Sequence, residues 1–349
     1  MVAPSALGLP FEPMTVASDG LELPAWFIPA RGGTPGPGVV LVHGWESARD
    51  RTLPIARFLH AAGFHVLTFD IRGHGSNPSE ILPISGGEFG ADALAAFRAL
   101  IDRPEVTEGA IVGHSMGGIG AMLAAAADPR VRAVVATSSP AGPYRLTRLT
   151  FRLAHLPIPD PIAYPLAWLT TRVFLRPRGH LVRDVSAERA ISQYRGPVLL
   201  AHGDADGVVP VAHMRRLERA AREGRGGAGD EVETLVVPGG EHSWLYEFAA
   251  YRRGVAGFLA KSLDGPVDPA TAGDLAAATD SRRLAETERQ FGAVEDEPGG
   301  FRTLARVALP GATRRATETF DRDALEPARD IGAEEPELPE MRLPGDGHP

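Results

Sequence analysis

Six short runs of nearly continuous apolar residues recur along the chain: "GVVLVHG" from Gly38, "HVLTFD" from His65, "AIVGHS" from Ala110, "VRAVVATS" from Val131, "PVLLAHG" from Pro197 and "ETLVVPG" from Glu233. Runs without polar alternation suit strands buried on both faces. Helical segments separate most of them, among them "RTLPIARFLHAAG" from Arg51, "GADALAAFRALID" from Gly90 and "VAHMRRLERAARE" from Val211. Strands that alternate with helices predict a doubly wound, mostly parallel sheet of the α/β class. Two alternating runs around Asp19-Gly20, within Met14 to Ala30, predict a hairpin ahead of it.

One interval breaks this rhythm. From Ser139 to about Tyr194 more than 50 residues pass without a further core strand, rich in proline, apolar side chains and arginine. That is too long for an ordinary crossover, so an inserted helical cap is expected at about 140–194. Its apolar part, Leu153 to Leu175, is interrupted by four prolines and Asp160 and does not suit a membrane-spanning helix.

The formal charge of -8 is unevenly placed. Residues 265–349 carry 18 acidic against 10 basic residues, which leaves 26 against 26 for residues 1–264. The expectation is therefore a folded domain over 1–264 and a low-complexity, largely disordered acidic tail over 265–349, with only Leu275 to Phe291 reading as a polar helix. A tail of this composition serves as a solvating extension or as a segment for a protein partner. A neutral domain with an acidic tail gives no support to nucleic-acid binding, which ordinarily shows a basic face. There is no cysteine, so disulfides and thiolate metal sites are excluded. The N-terminal stretch lacks the basic segment and apolar run of a secretory signal, so a cytoplasmic location is expected.

Within "GAIVGHSMGGIGAMLAAAA" the chain changes from strand-like to helix-like at Ser115, in the motif Gly113-His114-Ser115-Met116-Gly117. G-x-S-x-G at such a junction is a nucleophile elbow: the glycines let strand and helix approach, and the serine projects above the sheet. Serine is a weak nucleophile at neutral pH and needs a histidine base and an orienting carboxylate. Both follow in the order this architecture uses. "DADGVVP" after the "PVLLAHG" strand offers Asp204 and Asp206, and "GEHSW" after the next strand offers His242.

With "LVHGWES", "FDIRGHGSN", "VGHSMGG", "LLAHGDADGVVP" and "GGEHSW" in this order over residues 14–262, the chain resembles capped serine esterases and lipases of the α/β-hydrolase superfamily, close to the monoglyceride lipase and serine aminopeptidase-like branch. The resemblance implies that Asp206 is the acid and Asp204 a loop-capping carboxylate. It also implies that the Trp45 amide, in the loop after His43-Gly44, and the Met116 amide form an oxyanion hole. His43 reads as structural and His114 as a tolerant position. Asp70, Arg72, Gly73 and Gly75 read as shaping the turn beside the site.

The expected activity is hydrolysis of a small acyl substrate, a carboxylic ester, through Ser115, His242 and Asp206, with no metal or organic cofactor. In the cap, Phe151, Tyr164 and Trp168, with Leu156, Ile158, Ile162, Leu169 and Phe174, are candidates for an apolar acyl pocket, and Arg172, Arg176, Arg178 and Arg183 are candidates for meeting an anionic headgroup of the substrate, against the plainer reading of cap packing and a solvated face. Two other readings stay open: peptidase, amidase or thioesterase action on the same site, and a catalytically silent relative that binds a ligand or partner.

Overall fold

A computed structural model describes residues 1–45, 47–77, 84–153, 158–176, 179–226 and 231–280, with the side chains of 149–153 and 160 outside that description. Eight strands form one sheet: β1 (Glu12–Ser18), β2 (Leu21–Ile28), β3 (Gly36–Val42), β4 (His65–Phe69), β5 (Val106–His114), β6 (Val131–Thr137), β7 (Val198–Gly203) and β8 (Val232–Val237). Their order is β1-β2-β4-β3-β5-β6-β7-β8. The β1–β2 hairpin turns at Asp19 and Gly20, both with positive φ, and is antiparallel to itself and to β4. All later pairings are parallel.

Side-chain alternation along the strands sorts the core into two layers. Val40, Val42 and Ile111 face one way, against Phe89 and Phe97 of α2 (Gly86–Ile101), Ile119 and Met122 of α3 (Met116–Ala127), Ile191 of α6 (Ala187–Gln193) and Leu217 of α7 (Ala212–Gly224). Val39, Leu41 and Val112 face the other way, against Phe58 of α1 (Leu53–Ala61), Tyr251 and Val255 of α8 (Ala249–Ser262), and Ala272 of α9 (Pro269–Ala277). Strands covered on both sides need no polar alternation, which is why their sequences read as unbroken Val, Leu and Ala. The edge strands β1 and β8 are the exceptions, and Val236 of β8 is exposed.

Two helices, α4 (Pro143–Leu153) and α5 (Asp160–Leu175), stand between β6 and the return to the sheet. Helix α5 buries Ala163, Ala167 and Thr171, one small side chain per turn, and Thr171 Oγ1 meets Thr147 Oγ1 of α4 at 2.7 Å. Small residues at this spacing let two helices approach closely. Helix α6 lies within the expected 140–194 interval, yet it packs on α3 and α7 as the crossover helix to β7.

Helix α9 lies beyond residue 264, where composition alone placed the end of the domain. Asp268 caps it by accepting from Ala270 and Thr271 N–H, and Pro269 occupies its first position. The Asp-Pro start signal, rather than a polar period from Leu275, locates this helix. Residues 281–291 of the helix expected from sequence lie outside the described residues. Among the described residues, no helix is long and apolar enough to cross a membrane.

Candidate active site

Because β3, β5, β7 and β8 run parallel, the loops at their carboxyl ends emerge at one edge of the sheet, and they carry Trp45, Ser115, Asp206 and His242 respectively. Ser115 has φ 52° and ψ -118°, a combination L-residues seldom adopt. The turn is held by Ser115 N–H donating to Thr137 O at 2.9 Å and by Ser139 Oγ donating to Ser115 O at 3.1 Å. A Cβ at Gly113 would lie 2.2 Å from Gly117 O, and one at Gly117 would lie 2.2 Å from Val42 O. Both glycines of the motif are therefore obligatory contact points between β5, α3 and β3. Helix α3 begins at Met116, so its first backbone N–H groups, which have no partner inside the helix, gather beside the serine.

The loop after β3 presses on this elbow, since a Cβ at Gly44 would lie 3.4 Å from Ser115 Cβ. His43, fully buried, accepts from Ile71 N–H through Nε2 at 3.1 Å and donates from Nδ1 to Gly44 O at 2.8 Å. The amide plane that ends in Trp45 N–H is thereby fixed, because C=O and N–H of a trans peptide point in opposite directions. The half-buried Trp45 ring meets His74 edge-on at 5.0 Å and stacks on Phe89 at 6.3 Å.

Asp206 is buried and takes four donors. Oδ1 accepts from Val208 N–H at 2.9 Å and Val209 N–H at 2.7 Å. Oδ2 accepts from His242 Nδ1 at 2.9 Å and lies 3.2 Å from His202 Nε2, which also donates to Val209 O at 2.8 Å. Burial alone would raise this carboxyl, but the attraction of His242 and the bonds from His202 and His242 outweigh it and hold Asp206 well below the usual carboxylate range. Asp204, two residues earlier, is exposed and accepts from Gly239 N–H at 2.6 Å, tying its loop to the loop after β8. Those loops also touch at Gly203, where a Cβ would lie 2.0 Å from Gly240 O.

His242 is buried beside the elbow. His114 Nε2 donates to the His242 backbone oxygen at 2.9 Å, and the two rings lie 4.9 Å apart. His114 is thus a tie between the serine turn and the histidine loop rather than a tolerant position, and its partner 128 residues away left no trace in the local sequence. His202 was likewise invisible as a positioning group, since it acts through bonds to Asp206 and Val209 O, whereas His43 has the structural role expected of it. Beneath them His213 is pushed down to about 3 by burial and by the positive charge of Arg145, and its Nδ1 accepts from Ala141 N–H at 3.0 Å.

The turn after β4 flanks the site. Asp70, fully buried, binds Arg49 and accepts from Ser76 N–H at 2.8 Å, while a Cβ at Gly75 would collide with its carboxylate. Arg72 bonds Asp92 and Asp19 and is raised above its ordinary range because these partners outweigh the effect of burial.

In the cap, Tyr164 is half-buried beneath the Arg148 guanidinium at 4.5 Å, and Trp168 beneath that of Arg172 at 4.1 Å. The Phe151 side chain, Leu156 and Arg178 lie outside the described residues. Ile162 and Leu169 are exposed, which removes them from a buried acyl pocket: α5 turns its small residues to α4 and these two to solvent. A bond from His180 Nε2 to Glu88 Oε1 at 2.7 Å ties the end of the cap to α2.

Residues 33–178 match the family model described as serine aminopeptidase, S33. The uncharacterized protein Rv2307c of Mycobacterium tuberculosis (strain ATCC 25618 / H37Rv) is 32% identical over 227 residues, which cover 64% of this chain and 69% of that protein. The uncharacterized protein YfhR of Escherichia coli O157:H7 is 26% identical over 260 residues, 71% of this chain and 80% of that one. Among solved structures, the Pyrococcus furiosus esterase Pf2001 superposes with a TM-score of 0.58 at 21% identity, covering 75% of this chain and 94% of that chain. Elbow, strand order and sequence likeness converge: the chain belongs to the α/β-hydrolase superfamily and is a serine hydrolase.

Proposed function

We propose that the protein hydrolyses carboxylic esters of apolar acyl groups with Ser115 as nucleophile, His242 as base and Asp206 as its orienting acid. His242 takes the Ser115 proton as Oγ attacks the acyl carbonyl, and the Trp45 and Met116 amides receive the oxyanion. Collapse expels the alkoxide, which leaves with the proton from His242, and water activated by the same histidine then cleaves the acyl-enzyme to acid and free serine. Asp206 stays ionised throughout and stabilises the imidazolium. Tyr164 and Trp168 are the proposed apolar contacts of the acyl group.

The observation that carries this reading is the buried His242–Asp206 pair, tied by His114 to a serine in a strained turn. Strain and burial of this kind persist at positions where geometry serves chemistry. Intact-mass labelling with a fluorophosphonate is expected to give one adduct on Ser115, lost in Ser115→Ala and strongly reduced in His242→Ala. Absence of any adduct on folded wild type would make the protein a silent relative. Side-by-side turnover of a p-nitrophenyl ester and an aminoacyl p-nitroanilide decides between ester and amide, and faster anilide turnover would replace the ester reading.

A further inference from the structure

The outward face of α5 is an apolar row. Ile162 is 59% exposed, Leu166 38%, Leu169 53% and Val173 63%, and Leu181 just beyond the helix is 52% exposed. Spaced four, three and four residues apart, the helical members fall on one line about 16 Å long. Single exposed apolar residues are ordinary, but a contiguous row marks a surface that meets something other than water. The other large apolar side chains exposed among the described residues, Met1, Val236 and Leu275, lie elsewhere in the fold.

Charge restricts the occupant. Residues 140–194 hold eight arginines against three acidic residues, an excess of five positive charges in a chain of net charge -8. Arg172 and Arg176 are exposed on and just after α5, Arg183 is exposed in the turn that follows and is paired with Asp184 at 3.6 Å, and Arg172 lies over the Trp168 ring at 4.1 Å. A second copy docked through this face would set two such positive caps against each other. An acidic protein would meet the charge but leave an aliphatic row that offers no hydrogen bonds. An anionic lipid surface meets both, with phosphates for the guanidinium groups and an acyl boundary for the row.

We propose that α5 docks the protein on anionic lipid, with Ile162, Leu166, Leu169 and Val173 in the acyl boundary and Arg172, Arg176 and Arg183 at the headgroups. The cap then meets the phase in which apolar acyl esters reside, a consequence that rests on the ester reading above. Flotation with vesicles of phosphatidylcholine alone, and of phosphatidylcholine and phosphatidylglycerol in equal parts, tests it on the full chain. Wild type is expected to float with the anionic vesicles, to be released by about 0.5 M NaCl, and to bind neutral vesicles at least about 10-fold less. Leu166→Glu/Val173→Glu is expected to need at least about 10-fold more anionic lipid at an unchanged thermal midpoint.

Failure of wild type to float, or undiminished flotation of the double variant, would overturn the proposal. So would capture by immobilised polyglutamate without vesicle binding, which would point to an acidic protein, or a wild-type dimer in sedimentation velocity that the double variant dissociates. Fluorophosphonate labelling in parallel keeps the two readings apart. Labelling without flotation sinks the docking alone, and flotation without labelling sinks the ester reading alone.

Discussion

At the scale of single residues, the turn at Ser115 and the two nearby aspartates carry the most consequence. A non-glycine residue held at φ 52° and ψ -118° costs on the order of 1–3 kcal/mol. Ser115→Gly releases that strain, so it is expected to raise stability by about 1 kcal/mol and the thermal midpoint by roughly 3 °C, while ester turnover is lost. A midpoint that falls would show the turn to be relaxed in the native fold. The aspartates differ in what their carboxylates touch. Asp206 meets two backbone amides and two histidines in a buried pocket, whereas Asp204 meets one amide in solvent. Asp206→Asn is expected to lower kcat by about 10³–10⁴-fold, and Asp204→Asn by no more than about 3-fold; the reverse order in steady-state assays would exchange their roles. The serine and histidine were legible because the chemistry fixes residue type and order along the chain. Nothing local separated Asp204 from Asp206, because the difference lies in His202 and in the loop after β8.

At the scale of elements, the strands were easy to read and the helices around the cap were not. Burial on both faces writes itself into β3, β5 and β7 as unbroken apolar runs, whereas α5 buries the small residues Ala163, Ala167 and Thr171 and, at its end, Leu175, and leaves other aliphatic side chains in water. Apolar content therefore overstated how much of the cap faces inward, as Ile162 and Leu169 demonstrate. His213 of α7 exemplifies a link between elements that composition hides: it holds Ala141, the residue that leads into the cap, and it sits among Arg145, His202, Arg216 and Asp206. Its folded pKa of about 3 lies below the ordinary 6.5, so on acidification the unfolded chain takes the proton first. Stability from this group is complete above pH 6.5 and drains as pH falls toward 3, with a limiting slope of about 1.4 kcal/mol per pH unit. His213→Gln keeps an acceptor for Ala141 but cannot titrate. Denaturant curves at pH 7 and pH 5 are expected to give wild type a larger acid loss than the variant. Equal losses would mean that solvent reaches His213 in the native state.

At the scale of the whole molecule, the question is where the folded unit stops. Composition placed the change at residue 264, because charge turns acidic there, but packing continues. Helix α9 buries Ala272 and Ala276 on α8, and the side chain that joins them is Arg252, itself buried. Arg252 donates through Nη1 to Tyr246 O and Glu247 O at 2.7 and 2.9 Å, and through Nε and Nη2 to Ala276 O and Ala277 O at 3.1 and 2.8 Å. Those last two carbonyls lie at the C-terminal end of α9, where a cation is favoured, and Ala276 O also accepts from Thr279 N–H at 3.1 Å. We propose that the hydrolase unit extends through this helix to about Asp280. A chain ending at Gly265 keeps Arg252 but loses two of its acceptors and the alanine face, which together are expected to cost about 2–5 kcal/mol relative to a chain ending at Asp280. Because part of that cost is a guanidinium that keeps Tyr246 O and Glu247 O but loses its other two acceptors, Arg252→Met should restore stability in the shorter chain and reduce it in the longer one. Opposite signs in the two chains, read from denaturant midpoints, would establish the coupling. The same sign in both would mean that α9 rests on the domain without helping to hold it.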